Sequence, residues 1–306
     1  MAWSRVCLKG ALFLTWLLLG AAILGGVFPW LERLQPTACP AIRLKWFRGM
    51  ARILGLRLEV RGEPESGPAL VPCNHISWLD VLVLGTQVPV TFVAKNEVAD
   101  WPLMGFLARR SGTLFVTRGN LRATAGLVRA VGVRLQAGDK VVVFPEGTTT
   151  RGETVLPFST AVFQAVHETA VPVQPVGLRY RGKAARCAPF IGEDDFLSSL
   201  VRVLSLRIVP ATVVWCRPLP ASEQRQALAK HARKYILAGL AAADGNHAPL
   251  EPRRLRMDEL AALSESGIEL VGVPPPGVGH GGGRDSAVVG AAEVFMYFQR
   301  QSGRVF

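Results

Sequence analysis

The sequence predicts an α/β domain, a mostly parallel central sheet flanked by helices, carried behind an N-terminal membrane helix or re-entrant helical hairpin. Three observations point there. Short β-branched runs alternate with helical stretches from about residue 57 to residue 243, the pattern of strand–helix–strand units. The segment from Gly10 to Leu31 reads GALFLTWLLLGAAILGGVFPWL, 22 residues without a charge. Finally, 49% of the 306 residues are hydrophobic and mean hydropathy is +0.27, although the formal net charge is +12. A chain this apolar and this basic suits an anionic membrane surface better than nucleic acid, which would need interleaved aromatic and basic surface runs.

The elements follow in order. At about 1.5 Å per residue the uncharged N-terminal run reaches across a hydrocarbon core of roughly 30 Å. Gly25, Gly26 and Pro29 weaken its last third as a helix, so spanning and dipping back both remain open. It exceeds the roughly 7 to 15 apolar residues of a signal peptide and lacks a small-x-small cleavage site. Arg5 and Lys9 precede it, and Arg33, Arg43, Lys45, Arg48 and Arg52 follow. That bias predicts the inner (cytoplasmic) membrane, with the bulk of the chain on the cytoplasmic side. Residues 41–56, AIRLKWFRGMARILGL, put Ile42, Trp46, Met50, Ile53 and Leu54 on one helical face. A helix in the headgroup layer and an amphipathic core helix fit that pattern equally. Residues 1–56 are thus an anchoring segment.

Residues 57–243 form the expected catalytic domain. Segments 57–62, 69–73, 90–94, 112–116, 140–144, 171–180 and 206–216 read as strands; 78–84, 121–136, 160–168 and 222–243 read as helices. Phe196, Leu200, Val203 and Leu204 recur at helical spacing after the acids of IGEDDF, which predicts a further helix covering the sheet. Residues 244–306 are a tail, Pro- and Gly-rich over VPPPGVGHGGGRDS and expected to be flexible. The five cysteines, Cys7, Cys39, Cys73, Cys187 and Cys216, are scattered without a CxxC pair. A disulfide framework and a zinc site are therefore not expected.

Chemistry concentrates at two strand ends, where open α/β sheets hold ligands. After ALVPC the chain reads NHISWLD, setting His75 in a loop and Asp80 in the first turn of the next helix. Ser77-x-x-Asp80 also reads as a capping box, with His75 a solvated loop residue. The alternative is a dyad, Asp80 accepting from Nδ1 and leaving Nε2 to take a proton from an external hydroxyl. After KVVVF the chain reads PEGTTTRG. Gly147 permits close backbone approach, the threonines offer donors and Arg151 adds a cation, which together suit an anionic group. An ordinary Gly-Thr turn accounts for the same residues.

Taken together, NHISWLD and FPEGTTT resemble the paired signature of the glycerolipid acyltransferases, the 1-acylglycerol-3-phosphate acyltransferase superfamily. Their pattern is N-H-x-x-x-x-D followed by F-P-E-G-T. GTLFVTRG (112–119), VPVQPVGL (171–178) and the lysine-bearing FVAKNEVADWPLMGFL (92–107) resemble further family segments in the right order. The resemblance, running from about Leu58 to Leu219, implies His75 as general base and Asp80 as its support. It implies Glu146, Gly147 and Thr148 in the acceptor and transition-state loop, with Arg118, Lys95 and Arg151 in acceptor or phosphate binding. The co-substrate would be acyl-CoA or acyl carrier protein, with no other cofactor and no metal. A lysolipid would be the acceptor, 1-acylglycerol 3-phosphate first and lyso-ornithine lipid as the alternative. Two departures bear on that choice: Thr117 stands where an Asp or Asn commonly precedes the arginine, and E-G-T-R is extended to E-G-T-T-T-R. A non-catalytic lipid-binding scaffold is disfavoured because His75 and Asp80 are both present.

Overall fold

The computed structural model describes residues 2–35, 37–117 and 121–245, with the backbone of Arg253–Arg254 and Phe295–Met296. The chain divides into two units, Met1–Asp244 and Gly245–Phe306. In the second, Arg253–Arg254 pairs antiparallel with Phe295–Met296.

The first unit opens with α1 (Ala2–Ala22), a π-helical turn (Ile23–Val27) and α2 (Phe28–Leu34). The Gly25-Gly26 pair does not end the helix. The extra residue is taken up as one π turn, and Pro29 falls in the first turn of α2, where a missing N–H costs nothing. Trp3–Leu34 is consequently one helical rod, long and apolar enough to cross a membrane. The chain then reverses into α3 (Ala38–Leu54), which Gly55 ends in the left-handed conformation at φ 80°. The hairpin is locked at its centre by two indoles in reciprocal contact. Trp16 Nε1 donates to the Trp46 carbonyl at 3.1 Å and Trp46 Nε1 to the Trp16 carbonyl at 3.3 Å. Gly20 and Gly49 provide the room: a Cβ on either would lie 2.4 Å or 2.2 Å from the facing indole. Lys9 fastens the hairpin's other end, donating at 2.8 Å to the carbonyls of Leu54 and Leu206.

Seven strands follow: β1 (Leu56–Arg61), β2 (Ala69–Pro72), β3 (Thr91–Lys95), β4 (Leu114–Val116), β5 (Lys140–Val143), β6 (Val176–Tyr180) and β7 (Val209–Trp215). They pair as β1-β7-β6 and as β2-β5-β3-β4. Parallel bridges Leu70–Val173 and Cys73–Val176 join the two groups at β2 and β6. The sheet is parallel from β6 through β4, as expected. β7 runs antiparallel to β6 and carries β1 parallel to itself, so one edge is reversed.

Period-two alternation divides the strands between two apolar layers. Ala69, Val71 and Cys73 face one side with Val142, Val209, Ala211 and Val213; Leu70, Val141, Val143 and Val214 face the other. The first layer is covered by the hairpin, α4 (Leu79–Gly85), α6 (Met104–Arg110), which follows the short α5 (Asn96–Ala99), α9 (Ala184–Cys187) and α10 (Phe196–Ser205). The second is covered by α7 (Leu121–Gln136), α8 (Gln164–Thr169) and α11 (Arg225–Ala243). Met50, Ala51 and Leu54 of α3 are buried, and Gly85 of α4 lies against the Phe47 ring. On that face α3 therefore acts as a core helix, while Lys45, Arg48 and Arg52 stay exposed.

Candidate active site

β2 delivers the first half of the site. Beyond Pro72 the buried Asn74 side chain continues the sheet: Nδ2 donates to the Leu178 carbonyl at 2.9 Å and Oδ1 accepts from the Leu178 N–H at 2.7 Å. A side-chain amide thus replaces the backbone of a strand that has ended, and it fixes where His75 emerges.

His75 Nδ1 lies 2.7 Å from Asp80 Oδ2. The same oxygen accepts from the N–H groups of Ile76 at 2.7 Å and Ser77 at 2.9 Å, while Oδ1 accepts from the Tyr180 hydroxyl at 2.8 Å. Asp80 is therefore both the backbone acceptor at the start of α4 and the partner of His75. The two sequence readings describe one carboxylate. Because the amides of Ile76 and Ser77 can only donate to Oδ2, that oxygen acts as an acceptor, which puts the imidazole proton on Nδ1 and the lone pair on Nε2. Asp80 is fully buried, whereas the His75 side chain keeps 20% of its surface accessible. The ring stacks on Phe144 at 3.9 Å and 17°.

β5 delivers the second half. Glu146 Oε1 accepts from the His75 N–H and Oε2 from the Leu156 N–H, each at 2.7 Å. Burial holds its carboxyl above the ordinary range, opposed by these two amide donors. Both oxygens of Glu146 are occupied in bracing the histidine loop. Thr150 N–H donates to the His75 carbonyl at 2.9 Å, and the Thr149 hydroxyl donates to the Phe190 carbonyl. Gly147 turns the loop at φ 73°. Gly152, at φ 76°, lets it close on the first loop, since a Cβ there would lie 2.5 Å from Ile76 Cδ1.

Thr148 and Arg151 are exposed on this loop, and Lys95 is exposed at the end of β3. With β2, β3 and β5 parallel, all three open from the sheet edge that carries His75. Arg118 lies outside the described residues. Cys73 ends β2 two positions before the histidine, yet it is fully buried and its thiol is pushed well above the ordinary range, chiefly by burial and then by Asp80 and Glu146. It is unsuited to act as a thiolate nucleophile. Among the described residues no His, Cys, Asp and Glu cluster could hold a metal ion.

The sequence reading missed Asn74, Tyr180 and Phe144 as parts of the site. Asn74 and Phe144 sit inside the quoted motifs and were legible there as buried polar and stacking groups. Tyr180 is 100 residues from Asp80, and only the β6–β2 neighbourhood brings them together. An aromatic cluster, Trp78 with Phe13 and Phe196, ties the start of α4 to α1 and α10. An apolar cavity of about 290 Å³ lies beside α4, lined by Trp16, Leu24, Phe47, Leu82, Phe92 and Leu107 among others.

A mostly parallel sheet with an Asp–His pair at its carboxyl edge, joined to an apolar hairpin, is the arrangement that the resemblance to the acyltransferases implies. The family model named Acyltransferase matches residues 57–179. The chain is 35% identical over 266 residues to the lyso-ornithine lipid O-acyltransferase of Pseudomonas aeruginosa, covering 83% of this chain and 99% of that one. It is 33% identical over 213 residues to the 1-acyl-sn-glycerol-3-phosphate acyltransferase of Neisseria meningitidis, covering 66% and 84%. The crystal structure of the 1-acyl-sn-glycerophosphate (LPA) acyltransferase PlsC from Thermotoga maritima superposes with a TM-score of 0.59 at 20% identity, covering 80% of this chain and 99% of that one, and shares the fold. The chain belongs to this family of lysolipid O-acyltransferases.

Proposed function

We propose that the protein transfers a fatty acyl group from an acyl thioester, carried on coenzyme A or acyl carrier protein, to the free hydroxyl of lyso-ornithine lipid. The carrying observation is the His75–Asp80 pair at 2.7 Å with Nε2 left as the base. As the acceptor oxygen attacks the thioester carbonyl, Nε2 takes the hydroxyl proton. Collapse of the tetrahedral intermediate breaks the C–S bond, and the imidazolium returns the proton to the departing thiolate. No covalent acyl-enzyme is required. Asp80 holds the ring and balances the imidazolium charge, and Tyr180 positions Asp80. Glu146 acts by bracing the His75 loop. Thr148, Arg151, Lys95 and Arg118 are assigned to the acceptor headgroup, where guanidinium suits a carboxylate or phosphate in bidentate fashion. We assign the acyl chain to the apolar cavity beside α4 and the apolar hairpin to the inner membrane, with the sheet domain on the cytoplasmic side.

The relatives favour lyso-ornithine lipid, the alternative acceptor of the sequence reading, over 1-acylglycerol 3-phosphate. The Pseudomonas relative is named for lyso-ornithine lipid and matches over nearly its whole length, and the extended E-G-T-T-T-R loop departs from the phosphatidate-forming pattern. The Neisseria relative keeps 1-acylglycerol 3-phosphate as the second reading. The deciding experiment offers one labelled acyl-CoA and, separately, the acyl carrier protein thioester to detergent-solubilised protein with lyso-ornithine lipid, lysophosphatidic acid or lysophosphatidylcholine. Preferential acylation of lyso-ornithine lipid is expected. Preference for lysophosphatidic acid would move the acceptor to the second reading. Absence of transfer to every acceptor by folded protein would overturn the function.

A further inference from the structure

The opposite edge of the sheet carries a second polar site that the reaction does not use. A cavity of about 430 Å³ is lined by Arg43 of α3, Arg109 and Arg110 of α6 and Arg134 of α7, with Glu32 of α2, Asp139, Cys39, Pro40 and Gly112. It lies at the amino ends of the strands: Thr91 opens β3, Gly112 precedes β4 and Asp139 precedes β5. His75 follows the carboxyl end of β2, so the two sites are on opposite edges.

Four guanidiniums face two carboxyls there. Arg134 pairs with Asp139 at 2.7 Å and donates to Thr91 Oγ1 at 3.1 Å. Arg43 donates to the Ser111 carbonyl at 2.8 Å, Arg109 to the Ala99 carbonyl at 2.5 Å, and Arg110 to the Leu24 carbonyl through Nε at 3.1 Å and Nη2 at 2.9 Å. Arg109 also lies 3.5 Å from Asp100. A guanidinium has five N–H donors, and these partners engage one or two on each. Burial first, and the nearby Arg134 second, depress the basicity of Arg43, with Asp139 opposing. Arg43 and Arg134 are thus like charges crowded in a half-buried place, with the exposed Arg109 and Arg110 on the same cavity and donors to spare, an arrangement that an anion would relieve.

The surroundings indicate which anion. Two of the cavity's walls are the apolar hairpin itself, and α2, which supplies Glu32, turns Trp30 and Leu34 outward at 68% and 75% exposure. A ligand here meets basic donors and a membrane-seeking helix together, the combination that headgroup binding uses.

We propose that this cavity binds the anionic phosphate headgroup of a membrane lipid, separately from the acyl acceptor. The test is thermal unfolding of the full chain, delipidated in non-ionic detergent, titrated with dioleoyl phosphatidylglycerol, with dioleoyl phosphatidylcholine, or with sn-glycerol 3-phosphate and inorganic phosphate. Binding to the native state raises Tm saturably. Phosphatidylglycerol should do so at concentrations at least about tenfold below phosphatidylcholine, as charge-assisted bidentate contacts require. The soluble phosphates should not match it. The preference should vanish in R43Q/R134Q and in R109Q/R110Q, whose side chains lie nearer the surface, but persist in H75A at the other edge. Equal responses to both lipids, or an unchanged preference in the folded R109Q/R110Q protein, would overturn the proposal. Equal stabilisation by the soluble phosphates would replace the lipid with a free anion.

Discussion

At the scale of single residues, the site depends on one buried carboxylate that serves four donors. Asp80 holds His75 Nδ1, two backbone amides and the Tyr180 hydroxyl, so its orientation is over-determined and the imidazole's follows. Tyr180 is buried beside the carboxylate, and its hydroxyl is pushed well above the ordinary range, first by burial and then by Asp80. It therefore remains a neutral donor through the physiological range. Tyr180→Phe removes that donor and leaves Oδ1 buried without it. The expected loss is about 1–3 kcal/mol of stability, read from denaturant midpoints, and a several-fold lower kcat with KM unchanged, because Tyr180 meets no substrate. A variant raising KM with kcat intact would place Tyr180 in binding instead. This residue also marks the limit of the sequence. His75 and Asp80 share a helix start and were legible from spacing, whereas the Tyr180 contact depends on which strands become neighbours.

At the scale of elements, the hairpin is held to the catalytic domain along its length rather than by one linker. Lys9 satisfies carbonyls at the carboxyl ends of both α3 and α10, where a cation also complements the helix dipoles. The Trp16–Trp46 contact holds α1 to α3 within the hairpin, and Arg110 of α6 reaches the Leu24 carbonyl in the π turn. Gly20 and Gly49 make the indole contact possible. Gly49→Ala should force the rigid Trp16 ring outward, costing about 1–3 kcal/mol as overpacking does and lowering activity in membranes. Gly26→Ala, with nothing within 4 Å of its Cβ, is the control and should be near neutral. Equal stability of the two variants by thermal unfolding in detergent would contradict the packing account. The sequence disclosed the apolar rod and the amphipathic α3. Gly25, Gly26 and Pro29 mark the place where the regular α-helix is interrupted, and the structure takes the interruption up as a π turn rather than an end of the helix. Which of the two outcomes follows is settled by tertiary packing.

At the scale of the whole molecule, the fold brings two strand ends to one edge of a sheet whose one face is covered by the apolar hairpin. Alternation between β-branched runs and helical stretches made the sheet and its order of elements readable, with α7 matching residues 121–136 as expected. The reversed β1–β7 edge was not readable, since β-branched runs look alike in either direction and direction is set by pairing. Glu146 shows the same limit within the site. Its motif was legible, but its position, with both oxygens taken by the amides of His75 and Leu156, came only from the packing of two loops. In the proposed reaction the two loops present the His75 Nε2 lone pair to a lipid hydroxyl at this edge.

The most direct measurement is the single-turnover rate of acyl transfer to lyso-ornithine lipid by His75→Ala beside the wild type, with near-ultraviolet circular dichroism confirming the same fold. The expected rate is lower by about 10²–10⁴-fold, the range general-base catalysis supplies, in a protein that unfolds at nearly the wild-type temperature. A folded His75→Ala enzyme that retains most of its rate would contradict the general-base role of His75.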